Sequence, residues 1–371
     1  MSRSIVPEAI AREPWQVILP LFALNTFGSL VLYSAAGGHL APWALLHEIH
    51  FAVFLVMAFV ISRLPKDFFR VMAFPTYGAL IVLLILVELL GKVSGGSQRW
   101  LNLGFMQLQP SELMKPGIVL ALAHFFDKLP PAMTRSWRSL IPIGGLVGVP
   151  ALLVMLQPDL GTGLAICAGA GVVIFLSGLP MAWFVGAGAA LVVAAPVAFF
   201  TLLHGYQRDR VLIFLNPESD PLGKGYHITQ SKIAIGSGGL FGKGFGNGSQ
   251  SHLDYLPEAH TDFAFATMAE EWGLLGTLFV IAVFLWVFRW GNQVARNAPD
   301  RFSSLLAAGM TFTVFFYMMI NTMMVTGLAP VVGIPLPFIS HGGSSLMTNM
   351  ICIGTIMAVD RWSRRGGSLN S

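Results

Sequence analysis

The stretch LPEAHTDFAFATMAEEWGLLGTLFVIAVFLWVF, residues 256–288, sets four carboxylates and a histidine against a run, 274–288, that carries no charge. A helix entering hydrocarbon has this look, and carboxylates at such a border cost free energy unless they are wet, paired or used. The rest of the chain repeats the pattern. Of 371 residues, 55% are hydrophobic and 11% charged, and mean hydropathy is +0.70, which excludes a water-soluble globular protein. Uncharged runs long enough to cross a bilayer fall near 16–36, 47–63, 71–90, 111–127, 138–157, 160–178, 181–203, 271–290, 303–325 and 345–360. The expectation is an all-α polytopic membrane protein, one domain over residues 1–371, with ten transmembrane helices. A large extracytoplasmic loop, about 204–262, separates the seventh from the eighth.

Orientation follows from Lys and Arg, which are retained on the cytoplasmic side. Fourteen of the 22 gather on one side, among them Arg63, Lys66, Arg70, Lys128, Arg289, Arg301 and Arg364. An even number of helices then puts both termini inside. The first apolar run reads as an anchor rather than a cleaved signal. Both cysteines, Cys167 and Cys352, fall within spans, so no disulfide framework is implied. The basic residues mark span ends and form no stripe, so the charge of +4 does not indicate nucleic acid as a partner.

The long loop carries apolar faces around Val211 and Ile228, which read as short surface helices, and a turn cluster at 216–223. The run 236–244, GSGGLFGKG, resembles a nucleotide-binding loop but has Ser237 and Gly244 where that loop needs Gly and Ser or Thr, so it reads as a tightly turned connector. Glu112 and Lys115, three apart at the start of the fourth span, are neighbours on one helical face and stabilise one another at the membrane border; a structural ion pair and a ligand-binding pair are equal readings. Asp159 reads as a helix cap or a functional acid. Hydroxyls and glycine amides at 340–345, including Ser344, are suited to lining a polar cavity. His47, Glu48 and Glu88 read as span-end residues that cap or snorkel, and Glu270 and Glu271 as structural residues of a helix border. Metal-ligand spacing is absent from the sequence, so no protein-held metal is expected; a divalent cation carried on a pyrophosphate substrate would leave no such signature.

Several stretches in order, Gln98-Arg99-Trp100-Leu101, Gln109-Pro110-Ser111-Glu112, Gln157-Pro158-Asp159-Leu160, Tyr206-Gln207-Arg208, Gln230-Ser231-Lys232, His260-Thr261-Asp262-Phe263 and Gly342-Gly343-Ser344-Ser345, resemble the SEDS family (shape, elongation, division and sporulation). The run 216–221, NPESDP, is similar to the elongation branch rather than the division-specific one. The resemblance implies an inverting glycosyltransferase that polymerises lipid II at the outer face of the bacterial cytoplasmic membrane. It also implies membrane lipid, the elongation machinery and a class B penicillin-binding protein, a transpeptidase, as partners. It maps the catalytic carboxylate onto Asp262, the functional ion pair onto Glu112 and Lys115, and an outer-loop acid onto Asp159. His341 stands where the family commonly has Tyr.

In that chemistry a sugar hydroxyl must lose its proton as a polyprenyl pyrophosphate departs. Asp262 suits the role of base, and Arg208, Arg210, Lys232 and Lys115 are the candidates to neutralise the pyrophosphate. The rival class is a flippase for lipid-linked precursor, which would hold its ionisable residues near the bilayer midplane; here they gather at one border.

Overall fold

The computed structural model describes residues 13–367 apart from 91, 95–96, 103–106, 158, 202–204, 217–222, 254 and 257. The turn at 217–222 and Asp254 therefore lie outside the described residues, as does the side chain of Arg210. The chain is mostly helical: α1 (Trp15–Ala35), α2 (Trp43–Arg63), α3 (Lys66–Leu90), α4 (Pro110–Lys128), α5 (Leu140–Leu156), α6 (Leu160–Leu176), α7 (Met181–Thr201), α8 (Gly205–Leu215), α9 (Lys224–Ser237), α10 (Ala264–Arg296), α11 (Arg301–Val325) and α12 (Gly343–Gly367). Among the described residues, seven helices are long and apolar enough to cross a membrane: α1, α2, α3, α5, α7, α10 and α11. Helix α6 has 17 residues and falls short on length, while α4 and α12 carry several charges.

One expectation fails. The chain is not all-α, because Lys92–Ser94, Ser97–Asn102 and Gln107–Leu108 form a three-stranded antiparallel sheet between α3 and α4. Its strands are short and glycine interrupts them in the sequence, so their alternation is too brief to register.

Helices α4 and α11 occupy the middle. Fifteen of the residues of α4 are buried, including Glu112 and Lys115, and α11 packs against α4, α6, α10 and α12. Close approach at the centre depends on Gly309, where a Cβ would stand 2.5 Å from Val119 of α4 and 2.7 Å from Val173 of α6. Neighbouring helices shield this pair from lipid, so the centre can hold polar groups that pair with one another.

The residues read as inner-side anchors come together at one end of the bundle. Lys66 meets Asp300 at 2.6 Å and Arg70 meets Asp127 at 3.1 Å, Arg63 pairs with Glu13, and Arg301 donates to the Ser177 carbonyl at 2.8 Å. These contacts join the start of α3 to the end of α4 and to the α10–α11 turn, so consecutive helices there alternate in direction.

The stretch that opens the sequence reading breaks in an unforeseen place. Helix α10 starts at Ala264, seven residues before the expected span, and is interrupted at Gly273 (φ 62°, ψ −153°). The glycine-rich connector fills the break. Lys243 N–H and Gly244 N–H donate to the carbonyls of Glu270 (3.0 Å) and Glu271 (3.1 Å), while Leu274 N–H and Leu275 N–H donate to Gly239 (3.0 Å) and Leu240 (3.3 Å). Backbone groups freed by the break thus find partners, the condition for a broken helix at membrane depth. Both acids are buried and hydrogen-bonded. Glu270 accepts from Lys243 Nζ at 2.6 Å, Ser249 Oγ at 3.1 Å and Gln250 N–H at 3.2 Å, and Glu271 accepts from Ser34 Oγ.

Candidate active site

At the bundle end opposite the ion pairs a cavity of about 760 Å³ opens between the starts of α4, α6 and α12, the first half of α2, the sheet, and the loops 258–262 and 333–342. Glu112, Asp159, Glu258 and Asp262 supply its carboxylates, with Ser344, Ser345, Thr261, Thr162, Gln107 and Gln109 as neutral polar groups.

Its floor is set by α4. Helix α4 opens on Pro110, whose fixed φ suits a first helical position, and the i, i+3 spacing then brings Lys115 under Glu112, Nζ to Oε1 2.6 Å. Tyr317 of α11 closes the group: its hydroxyl donates to Glu112 Oε2 and lies 2.8 Å from Lys115 Nζ. The ammonium also sits 4.1 Å from the centroid of the Tyr317 ring. Lys115, 1% exposed, is not on the cavity wall; Glu112 is.

One wall is built around Asp159. Its Oδ1 caps α6 by accepting from Thr162 N–H at 3.1 Å, so the capping reading is correct, and its Oδ2 accepts from Gln109 Nε2 at 2.8 Å. Arg99 of the sheet donates Nε to the Gln157 carbonyl at 2.8 Å and lies 3.9 Å from Asp159. Ser344 ties the sheet to α12, accepting from Gln109 N–H (3.2 Å) and donating to the Gln107 carbonyl (2.8 Å).

The facing wall carries Asp262, half-buried just before α10. Asn321 of α11 donates Nδ2 both to the Asp262 carbonyl (2.9 Å) and to the Ile334 carbonyl (2.7 Å), binding the two loops together. Thr261 donates to Glu258 at 2.8 Å, and His341 N–H donates to the His260 carbonyl at 2.8 Å. Burial, helped by the facing His260 and His50 rings, pushes the His341 imidazolium down to about 4, so the ring is neutral at pH 7. Burial also lowers His260, against the opposing pull of Glu258.

Behind this wall lies His47. It is buried rather than snorkelling, and its ring nitrogen is 3.2 Å from the Phe338 carbonyl. Phe338 is itself buried at a left-handed φ of 64°, a costly conformation for a bulky residue that the packing around it must hold.

Of the residues proposed from sequence, Glu112, Asp159, Asp262 and Ser344 line one cavity. Lys115, Arg208 and Lys232 are not on its wall. Arg208 donates to the Phe200 carbonyl at 2.6 Å beside the end of α7, and Lys232 packs exposed against Gly327. Arg99, Gln109 and Tyr317 are site residues that sequence reasoning passed over. The available signal for Tyr317 was a phenol inside an apolar span, where a hydroxyl needs a partner; for Arg99 and Gln109 it was their place beside Trp100 and Glu112 in the family-like motifs. Among the described residues no group of three or more His, Cys, Asp or Glu could hold a metal ion.

Fold and site together define a multi-pass helical membrane protein with a carboxylate-lined cavity at one end of its bundle. The chain belongs to the SEDS family: the Cell cycle protein family (FTSW_RODA_SPOVE) matches residues 15–365. It is 42% identical over 348 residues to peptidoglycan glycosyltransferase MrdB of Escherichia coli K12, covering 92% of each chain. It is 39% identical over 284 residues to stage V sporulation protein E of Bacillus subtilis, covering 76% and 77%. In structure it is similar to a chain of a peptidoglycan synthase complex that coordinates polymerization and crosslinking (TM-score 0.81, 31% identity, 95% and 98% covered). It is also similar to the rod shape determining protein RodA of Thermus thermophilus (TM-score 0.69, 29% identity, 94% and 97% covered).

Proposed function

We propose that the cavity is where this chain, a peptidoglycan glycosyltransferase of the cell-elongation type, polymerises lipid II, with Asp262 as the general base. The observation that carries the reading is the convergence of Asp262, Glu112 and Asp159, from three distant parts of the sequence, on one cavity. The hydroxyl of an acceptor sugar attacks the anomeric carbon of a lipid-linked donor. As the new C–O bond forms, the bond to the polyprenyl pyrophosphate breaks and the leaving group takes the electron pair. The hydroxyl proton passes to the Asp262 carboxylate, and attack from the face opposite the leaving group inverts the anomeric centre. Glu112 is held rigid by Lys115 and Tyr317, and Asp159 by Thr162 and Gln109, so both serve as fixed acceptors for sugar hydroxyls or amides.

In this reading α1–α7 and α10–α12 are the ten crossings of a single domain, both termini are cytoplasmic, and the cavity faces the outside of the cytoplasmic membrane, where lipid II is presented. The partner is a class B penicillin-binding protein that crosslinks the strands as they leave. Support for the partner comes from the likeness to a chain of a synthase complex; support for the orientation comes from the basic residues collected at the opposite bundle end.

The test is lipid II polymerisation by purified protein carrying Asp262→Asn, which keeps size and hydrogen bonding but cannot take the proton. A loss on the order of a hundredfold or more is expected, the usual reach of a general base. Glu258→Gln removes a charge from the same loop; an equal loss there, or near-normal polymer from Asp262→Asn, would move the chemistry away from Asp262.

A further inference from the structure

The glycine-rich segment between α9 and α10 reads from its sequence as part of an aqueous loop, but its side chains are of the wrong kind for water. Leu240 and Phe241 at its tip are 62% and 78% exposed, and Phe245 beyond them is exposed as well. Polar backbone groups at the same tip are turned inward. The carbonyls of Gly238, Gly239 and Leu240 accept from the N–H groups of Gly242, Leu274 and Leu275, while Lys243 and Gly244 donate theirs to the carbonyls of Glu270 and Glu271. The one charge within the segment, Lys243 Nζ, is held by Glu270 at 2.6 Å. A loop in water has no need to pair its peptide groups while showing bulky apolar side chains; a loop in hydrocarbon needs both.

Depth agrees. The first Lys or Arg along α10 is Arg289, exposed and sixteen residues past the break at Gly273. At about 1.5 Å per residue the two stand about 24 Å apart, against a hydrocarbon core of about 30 Å. With Arg289 at one border, Gly273 and the loop bonded to its neighbours lie about 6 Å inside the other, and any tilt of the helix deepens them. The surface is also continuous. Helix α10 is one of the membrane-crossing helices, and its exposed Leu274, Leu275 and Leu278 carry the apolar face of Leu240 and Phe241 onward along the span. We propose that residues 239–242 form a re-entrant wedge seated among the acyl chains of the cavity-side leaflet, with Leu240 and Phe241 against lipid. The wedge fixes the depth of the α10 break, and with it the loop 258–262 that leads into the helix. This placement depends on the membrane fold and not on the cavity chemistry, so an Asp262→Asn protein that still polymerises leaves it standing.

Nitroxide labels on the full-length protein test it, in nanodiscs of phosphatidylethanolamine and phosphatidylglycerol. Cys167→Ala removes the half-buried native thiol, and Cys352 is fully buried. Labels at Phe241→Cys, Leu278→Cys and Asn247→Cys are compared for collision with oxygen, which partitions into hydrocarbon, and with a water-soluble nickel chelate. The oxygen-to-nickel ratio should be about fivefold or more higher at 241 than at 247, and close to that at 278, because hydrocarbon excludes the polar complex. Leu240→Cys repeats the measurement if Phe241→Cys does not fold. A label at 241 as wet as the one at 247 overturns the wedge. The same labels in native membrane vesicles separate the occupants: a 241 label shielded from both reagents there is covered by a protein partner, and the lipid assignment falls.

Discussion

Replacing Lys115 by Met leaves Glu112 buried with its phenol donor but without its charge partner. Glu112 is 5% exposed and Lys115 1%, with Nζ 2.6 Å from Oε1, so a neutral Met at 115 leaves the carboxylate without the cation packed against it. Breaking one side of a buried pair costs about 3–5 kcal/mol. Lys115→Met should therefore lose about 3–5 kcal/mol. The double variant Glu112→Gln, Lys115→Met removes both charges and should return to within about 1 kcal/mol of the starting protein. Unfolding titrations of detergent-solubilised protein measure both. A double variant as unstable as the single would refute the argument that an uncompensated carboxylate is what costs the energy.

Gly242→Ala should destabilise by about 3 kcal/mol and expose the 239–250 segment to protease, since its φ of 79° is left-handed and the new Cβ would stand 2.0 Å from the Glu271 carbonyl; an intact, protease-resistant variant contradicts the broken-helix clamp. At the other bundle end, burial alone would raise the Asp300 pKa, but the hydrogen bond from Lys66 and the Ser303 amide outweigh it and hold the carboxyl below its usual 3.8. Its contribution is therefore present above that value and lost as pH falls through the folded pKa, so thermal stabilities of the protein and Asp300→Asn should differ by a constant amount above pH 5 and converge below pH 4. Convergence at higher pH would mean another group is responsible. For orientation, a membrane-impermeant thiol reagent added to cells should label Asn247→Cys and leave Met133→Cys unlabelled; the reverse pattern inverts the topology.

Hydropathy reveals helices whose burial is chemical, not topological. The runs around 16–36, 47–63 and 303–325 match α1, α2 and α11 to within a few residues at most boundaries, because exclusion of charge over about 20 residues is a local property. The start of α10 was hidden since residues 264–270 are buried by protein rather than by lipid, and an Ala-rich, acid-ended segment carries no membrane signal. Asp262, Glu112 and Asp159 stood out as acids at an apolar border. Arg99 and Tyr317 did not, since what gives each its place is a partner far along the chain: Gln157 for one, Glu112 for the other. Arg208 and Lys232 illustrate the converse: each carries charge in a segment near the site, yet neither lines the cavity once the helices around it are in place.

The pairing of Lys115 with Glu112 has an electrical consequence. A single charge moved across an energised membrane feels about 2.3 kcal/mol for each 100 mV. Two opposite charges 2.6 Å apart span less than a tenth of a hydrocarbon core of about 30 Å, so even aligned with the field they feel only ~0.2 kcal/mol. The cavity floor is thus indifferent to voltage, and collapse of the membrane potential should leave its geometry where it was.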